Sequence, residues 1–307
     1  MATAVLPDNL DGLLDRLTSI GSEPREITRL EGGLTNVNVR VRTSERDIVV
    51  RIFDDSSSML AIDREAEYQN SCAAAASGAS PRVIEYRSDD HVLVVSYIDG
   101  MTLTPEDVRD STQLSRIAQV CRLLHAGPRF VSEFDMFDVQ RAYLRTVQDN
   151  GYRLPRRYLE FEPQVTAMRR ALAAVEVATV PCNNDLLAAN FIDDGARLWI
   201  IDFEYAGNND PCFELGNIWS ESNLAPDQLD ELVECYFGHE RPSLVARARL
   251  LGLMSKYGWT LWASIQDATS ELDFDFWEWG MEKYDRAVDE FDDPAFETWL
   301  TAAAAPD

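Results

Sequence analysis

Lysine is almost missing from this chain of 307 residues: it stands only at Lys256 and Lys283, and arginine supplies the rest of the basic charge. Basic residues as a whole are few, 28 against 53 acidic ones, which sets the formal net charge at −25. Such a chain lacks the basic stripe that nucleic acid or an anionic membrane surface requires, so neither is an expected partner. An acidic surface attracts cationic small molecules, and it also serves plain solubility. Long apolar runs are missing too: none approaches the ~18 residues that a membrane helix needs. The first residues, "MATAVLPDNLDGLLDRL", carry no basic segment followed by an apolar one, so a cytoplasmic location is expected. Cys72, Cys121, Cys182, Cys212 and Cys235 are odd in number and show no C-x-x-C spacing. That leaves reduced thiols as the reading, with neither a disulfide framework nor a thiolate metal site.

What is present is a core and a change of pattern along the chain. Hydrophobic residues make up 46% of it, ample for a buried interior. Residues 37–41, "VNVRV", alternate apolar and polar; "TSER" follows as a turn and "DIVVRIF" (47–53) resumes as a strand, so a hairpin is predicted. The alanine-rich stretch from Met59 to Ala76 predicts a helix, with Gly78 placed for a C-terminal cap. "HVLVVSYI" (91–98) reads as a strand that Asp99 and Gly100 break, and Thr104 with Pro105 marks a helix start. Beyond that point the pattern is mainly helical, except that "NFI" and "RLWIID" pair across "DDGA" as a short hairpin. Long helical periods run from Leu244 to Ala268 and from Asp273 to Phe291, and the tail "TAAAAPD" is expected to fray. The reading is an α+β chain: a small β-rich lobe over residues 1–98, a hinge over 99–104, and a larger helical lobe over 105–307.

Phosphoryl transfer needs a base near the acceptor hydroxyl, oxygen ligands for Mg²⁺, and donors around the phosphates. The stretch "PCNNDLLAANFIDDGARLWIIDFEY" (181–205) holds Asp185 and Asn190 in D-x-x-x-x-N spacing, and Asp202 at the end of "RLWIID". Asp185 is the candidate proton acceptor, and Asn190 and Asp202 are the candidate metal ligands, oxygen donors of the kind hard Mg²⁺ prefers. Each alone is a common accident: a D-x-x-x-x-N recurs by chance and a terminal Asp usually makes a turn. A hairpin between them and a small lobe upstream turn the pair into a signal. Further on, Trp259 and Trp262 stand three apart and share one helical face. They either offer aromatic faces to an ammonium group, worth ~2 kcal/mol when desolvated, or fill the core.

These segments resemble the choline/ethanolamine kinase family, within the larger group of aminoglycoside phosphotransferases, from about residue 31 almost to residue 290. The resemblance implies a bilobal protein-kinase-like fold and ATP-dependent phosphorylation of the hydroxyl of a small cationic amino alcohol, choline or ethanolamine, with Mg²⁺ as cofactor. "EGGLTN" is similar to the family's phosphate loop, which puts Gly32, Gly33, Thr35 and Asn36 near the nucleotide. Arg51 stands where most kinases have lysine, and Glu67 matches the acid that pairs with it. "IDFEYAGNNDPCFELGNIWSE" and "YGWTLWASIQDATS" resemble the segments that build the acceptor pocket, implying Tyr205, Glu221, Trp259 and Trp262 as its wall, with Glu221 as counter-charge. Glu214 and Asn217 are expected to support the helix that carries Glu221, and Trp277 and Trp279 to lie in the core or at the rim. An aromatic box favours choline, whereas a pocket ruled by a carboxylate leans toward ethanolamine. The sequence departs from the family at Asn183, where a histidine is usual two residues before the catalytic Asp. Because that histidine is a scaffold and the chemical groups all stand, an active variant is expected. Rival readings are a phosphotransferase for an aminoglycoside, thiamine or an amino sugar, and a pseudokinase that binds without turnover.

Overall fold

The computed structural model describes residues 9–21, 23–30, 36–53 and 62–306. Gly32, Gly33 and Thr35 of the expected phosphate loop lie outside the described residues, as does the expected helix start at Met59.

The first part of the chain builds a sheet. After a short helix α1 (Leu10–Leu14) come β1 (Glu26–Leu30), β2 (Asn36–Arg42) and β3 (Asp47–Phe53), then helix α2 (Arg64–Ser77), β4 (Val83–Arg87) and β5 (Val92–Ser96). The strands form one antiparallel sheet in the order β1-β2-β3-β5-β4. Alternation in β2 sends Val37, Val39 and Val41 to one face, where they pack with Ile48, Val50, Ile52, Val92 and Val94 beneath Leu13, Leu14 and Leu17 of the N-terminal segment. Burying such a branched side chain contributes ~1.5–3 kcal/mol, and period-two patterning decides which face is buried. Helix α2 starts at Asp63, whose carboxylate accepts from the backbone N–H groups of Glu65 and Ala66. It ends at Gly78 in the left-handed region (φ 85°), as the sequence predicts.

The chain leaves the sheet after Tyr97, whose N–H still donates to Asp47 O at 3.0 Å. Four residues later Met101 pairs with Asp193, so residues 98–100 cross from one core to the other. Strand β6 (Met101–Thr102) is followed by α3 (Pro105–Val108), α4 (Ser111–His125), α5 (Met136–Asn150), α6 (Glu162–Ala173) and β7 (Val180–Cys182). Next come β8 (Phe191–Asp193), β9 (Leu198–Ile200), β10 (Gly207–Asn209), α7 (Pro211–Ser222), α8 (Pro226–Phe237), α9 (Pro242–Thr269), α10 (Phe276–Phe291) and α11 (Phe296–Ala303). Thr104 and Asp107 make a reciprocal capping box with Pro105 inside the first turn of α3, and β8 pairs with β9 as the expected hairpin. The second hydrophobic core is separate from the first and lies among these helices, with α9 running through it. None of the described helices is long and apolar enough to cross a membrane.

The tail differs from expectation. "TAAAAPD" does not fray from Thr301: α11 continues to Ala303, which is buried, as are Phe296 and Leu300 of the same helix. The alanine run propagates a helix that Phe296 and Leu300 anchor to the core, so tertiary packing overrides the usual looseness of a terminus.

Candidate active site

The loop between β7 and β8 is wired to its surroundings by buried side chains on both sides. Asn183 and Asn184 are fully buried, and their backbone N–H groups each donate to a different carboxylate oxygen of Glu214, at 2.8 Å and 2.8 Å. The N–H of Leu186 donates to Asn217 Oδ1 at 2.7 Å, and Asn217 Nδ2 in turn donates to Ser255 on α9 at 3.0 Å. Glu214 and Asn217 thus hold the loop itself, where the sequence suggested only support for the helix carrying Glu221. One turn of α7 satisfies three loop amides that would otherwise be buried without partners, at ~1–3 kcal/mol each. Beneath them His125 Nε2 lies 3.5 Å from Glu214 Oε1, and His125 Nδ1 lies 2.7 Å from the hydroxyl of Tyr236.

Asn183 spans the loop and the segment after β9. Its Nδ2 donates to Asp202 O at 2.6 Å and to Ile201 O at 3.2 Å, while its Oδ1 accepts from the N–H of Asp185 at 3.1 Å. One side chain thereby couples the backbones of Asp185 and Asp202. Both Asn184 and Asp202 adopt left-handed backbone conformations (φ 69° and 65°), which for residues other than glycine persist only when surroundings hold them. Three carbonyls accepting from Asn184 Nδ2 supply that hold at one position. Asn190 is buried, and its Nδ2 donates to Asp185 O at 2.7 Å. Its own carbonyl accepts from Ile201 N–H at 3.0 Å. The loop Asp and Asn and the strand-end Asp are therefore brought together, as their spacing suggested.

Facing them from the sheet side is a network of charges. Arg51 Nη2 donates to Asp202 Oδ1 at 2.7 Å and stands 3.5 Å from Glu67 Oε1. The expected Arg51–Glu67 contact is present, but the shorter bond goes to Asp202, which sequence spacing does not reveal. Arg64 donates to Glu67 Oε2 at 2.7 Å, to Asn36 Oδ1 at 3.3 Å and to Glu204 Oε2 at 3.4 Å. Asn36 Nδ2 completes the ring by donating to Glu204 Oε2 at 3.1 Å. Arg64 and Glu204 were not singled out from sequence; Glu204, two residues past Asp202 on an extended turn, was the available clue.

Within reach of the charge of Asp185, which acts on Tyr205, lies an aromatic wall. Trp262 Nε1 donates to the hydroxyl of Tyr205 at 2.8 Å, and the Tyr205 and Trp259 rings meet edge to face at 4.9 Å. Both tryptophans are nearly buried, 4% and 6% exposed. Trp279 adds a further face, 5.6 Å from Trp262, whereas Trp277 lies apart, stacked on by Arg153 at 3.8 Å. Glu221 is not an open counter-charge: Lys283 Nζ donates to its Oε2 and sits 4.1 Å above the Trp279 ring. Trp279 and Lys283 are one helical turn apart on α10, and a lysine in so lysine-poor a chain is the signal that would have found them.

Burial sets the electrostatics. The Asp185 carboxyl is pushed well above its usual range by desolvation, then by the charges of Glu221, Asp202 and Glu204, with Lys283 acting in the other direction. Desolvation together with Asp202 and Glu67 raises Glu204 to about 7. Burial opposes the charge on Arg51, yet Asp202 and Glu67 outweigh it and raise its pKa. A partly buried carboxylate whose basicity is raised in this way suits proton acceptance in its ionised form.

Small sheet, crossing segment, helical body and wired loop together define a phosphotransferase of the protein-kinase-like fold. Residues 27–231 match the family described as choline/ethanolamine kinase, and the chain belongs to that family. A choline/ethanolamine kinase family protein from Mesorhizobium loti superimposes with a TM-score of 0.85 at 31% identity, covering 97% of this chain and 98% of that one. Ethanolamine kinase 2 of Mus musculus is 26% identical over 84% of this chain and 74% of its own length. The choline kinase LicA from Streptococcus pneumoniae, with a TM-score of 0.73 at 23% identity over 90% of this chain and 94% of its own, shares the fold.

Proposed function

We propose that this phosphotransferase moves the γ-phosphate of ATP to the hydroxyl of choline or ethanolamine, with Asp185 taking the hydroxyl proton. The observation that carries the reading is the wiring of Asp185 to the two candidate metal ligands: Asn183 bonds the backbones of both Asp185 and Asp202, and Asn190 donates to the Asp185 carbonyl. In the reaction the acceptor oxygen forms a bond to the γ-phosphorus while the bond to the β–γ bridging oxygen breaks. The electron pair leaves with ADP, and the proton passes to Asp185.

The residues present fit Mg²⁺. Nδ2 of Asn190 is committed to Asp185 O, which leaves its amide oxygen as a donor, and Asp202 has a second carboxylate oxygen beyond the one that Arg51 engages. Hard oxygen donors of this kind are what Mg²⁺ selects. When bound, the ion would neutralise charge on the phosphates as it builds. Asn190 and Asp202 would hold it. Arg51, restrained by Glu67, is assigned to the nucleotide, together with Asn36 and with Gly32, Gly33 and Thr35 of the preceding loop. Tyr205, Trp259 and Trp262 are assigned to the amino alcohol, with Glu221 behind them. Residues 1–98 are assigned to the nucleotide-binding lobe, 99–104 to the hinge and 105–307 to the catalytic and acceptor-binding lobe.

Transfer of labelled phosphate from ATP to a panel of amino alcohols, with ADP release followed in parallel, tests this. Phosphorylated ethanolamine or choline is the expected product. ADP release without any phosphorylated amine would sink the reading.

A further inference from the structure

Glu221 is one of the most buried carboxylates of the molecule, its side chain only 2% exposed, and its two oxygens are treated differently. Oε2 accepts from Lys283 Nζ, while Oε1 is shielded from solvent and has no hydrogen-bond partner. Lys283 is itself 5% exposed and is fixed from below by the Trp279 ring. Trp279 touches Trp262, and Trp262 donates to Tyr205, so the ion pair continues the wall assigned to the amino alcohol. A buried acceptor without a donor is destabilising, and such groups in folded proteins call for an explanation.

Resting on the acceptor site proposed above, we infer that Lys283 and Glu221 act together as a specificity device that selects acceptors whose ammonium still carries an N–H. The lysine offsets the charge of Glu221, so the pair offers an incoming cation less Coulomb attraction than a lone carboxylate would. What it offers is a hydrogen-bond acceptor, Oε1. A primary ammonium donates to it and satisfies the oxygen. A trimethylammonium cannot, and buries Oε1 still unpaired against methyl groups. One oxygen needs one donor, so the discrimination falls at a particular place: ethanolamine and its mono- and dimethyl derivatives each have an N–H, and choline has none. Lys283 is a positioning residue in this device, because it turns Glu221 from a counter-charge into a directed acceptor. The aromatic faces, which alone would favour choline, are then outweighed by the orphaned oxygen.

The test is kcat/KM for ethanolamine, its monomethyl and dimethyl forms, and choline, with Mg-ATP saturating. In the wild-type enzyme the first three are expected to lie within a few-fold of one another, with a drop of tenfold or more at the third methyl group. The paired replacement Glu221→Leu with Lys283→Met removes the acceptor and its clamp without leaving a lone buried charge. In that variant the drop is expected to vanish or reverse, with KM for ATP unchanged. Lys283→Met alone leaves an uncompensated carboxylate and is expected to improve choline relative to ethanolamine. A smooth trend across the methyl series in the wild type, choline used as well as the dimethyl amine, or a drop that persists in the paired variant would each overturn the inference while leaving the proposed function standing. No phosphorylated product from any of the four amines would instead remove the proposed function and the inference with it.

Discussion

Asn183 carries most of the interest at the scale of single residues, because it joins the loop after β7 to the segment after β9. Its three side-chain hydrogen bonds tie Asp185, Ile201 and Asp202 into one unit. Asn183→Ala is therefore expected to lower kcat by about 10- to 100-fold through misplacement of the reacting groups, with less effect on KM for ATP. Asp185→Asn keeps the size of the side chain but removes the proton acceptor, and should cost kcat about 10²–10⁴-fold. Steady-state kinetics of the two variants, with folding checked by circular dichroism, separates support from chemistry: equal kcat losses would remove the distinction. Glu204 gives a pH prediction. It holds its proton in the folded, nucleotide-free protein up to about pH 7, whereas the usual value is 4.5. Between those values the unfolded chain binds fewer protons than the folded one, so this residue makes stability fall as pH rises. Thermal melts of the nucleotide-free protein at pH 5 and pH 8 should show a larger decline for wild type than for Glu204→Gln. Parallel declines would mean that Glu204 is ionised throughout.

Among the elements, the crossing of α7 and α9 decides whether the site is assembled. Helix α7 holds the loop between β7 and β8 through Glu214 and Asn217 and carries Glu221 in its last turn, while α9 contributes Ser255, Trp259 and Trp262. They meet at two glycines: a Cβ on Gly216 would lie 2.1 Å from Ala248 O and 2.6 Å from Gly252 N. Both are backbone atoms, which no side-chain rotation can clear. Gly216→Ala should force the helices apart at a cost of about 1–3 kcal/mol, and should lower kcat in the fraction that folds because the loop amides lose their register with Glu214. Chemical denaturation read beside kinetics checks both. Unchanged stability would show that the helices can slide without strain.

The whole molecule carries 25 more acidic than basic charges. Self-repulsion on this scale destabilises the compact state at low ionic strength, and the Debye length shrinks from about 30 Å at 0.01 M salt to about 10 Å at 0.1 M. The melting temperature should therefore rise by several degrees over that range. The same field draws a cationic amino alcohol toward the cleft, so KM for the amine should increase with salt while KM for ATP falls. Melting curves and initial rates across a salt series measure both effects, and a KM for the amine indifferent to salt would confine recognition to short-range contacts in the pocket.

Local chemistry made much of this legible from residue order. Alternation marked β2 and β3, Gly78 and Thr104–Pro105 marked helix ends, and the spacing of Asp185, Asn190 and Asp202 identified the loop and hairpin that bring them together, because each rests on contacts a few residues apart. The Trp259–Trp262 face followed from helical geometry in the same way, and resemblance to a known family supplied Glu67 as a partner of Arg51. What linear order could not show were contacts between distant segments. Asn183 reaches Asp202, Arg51 prefers Asp202 to Glu67, α7 turns out to hold the loop, and α11 is kept helical by the core its side chains enter. Above all, residues 221 and 283 are far apart in sequence, on different helices. Only their packing shows that the carboxylate expected to act as a counter-charge is paired on one oxygen and buried without a hydrogen-bond partner on the other, because burial strips both groups of water and makes each partner's position decisive.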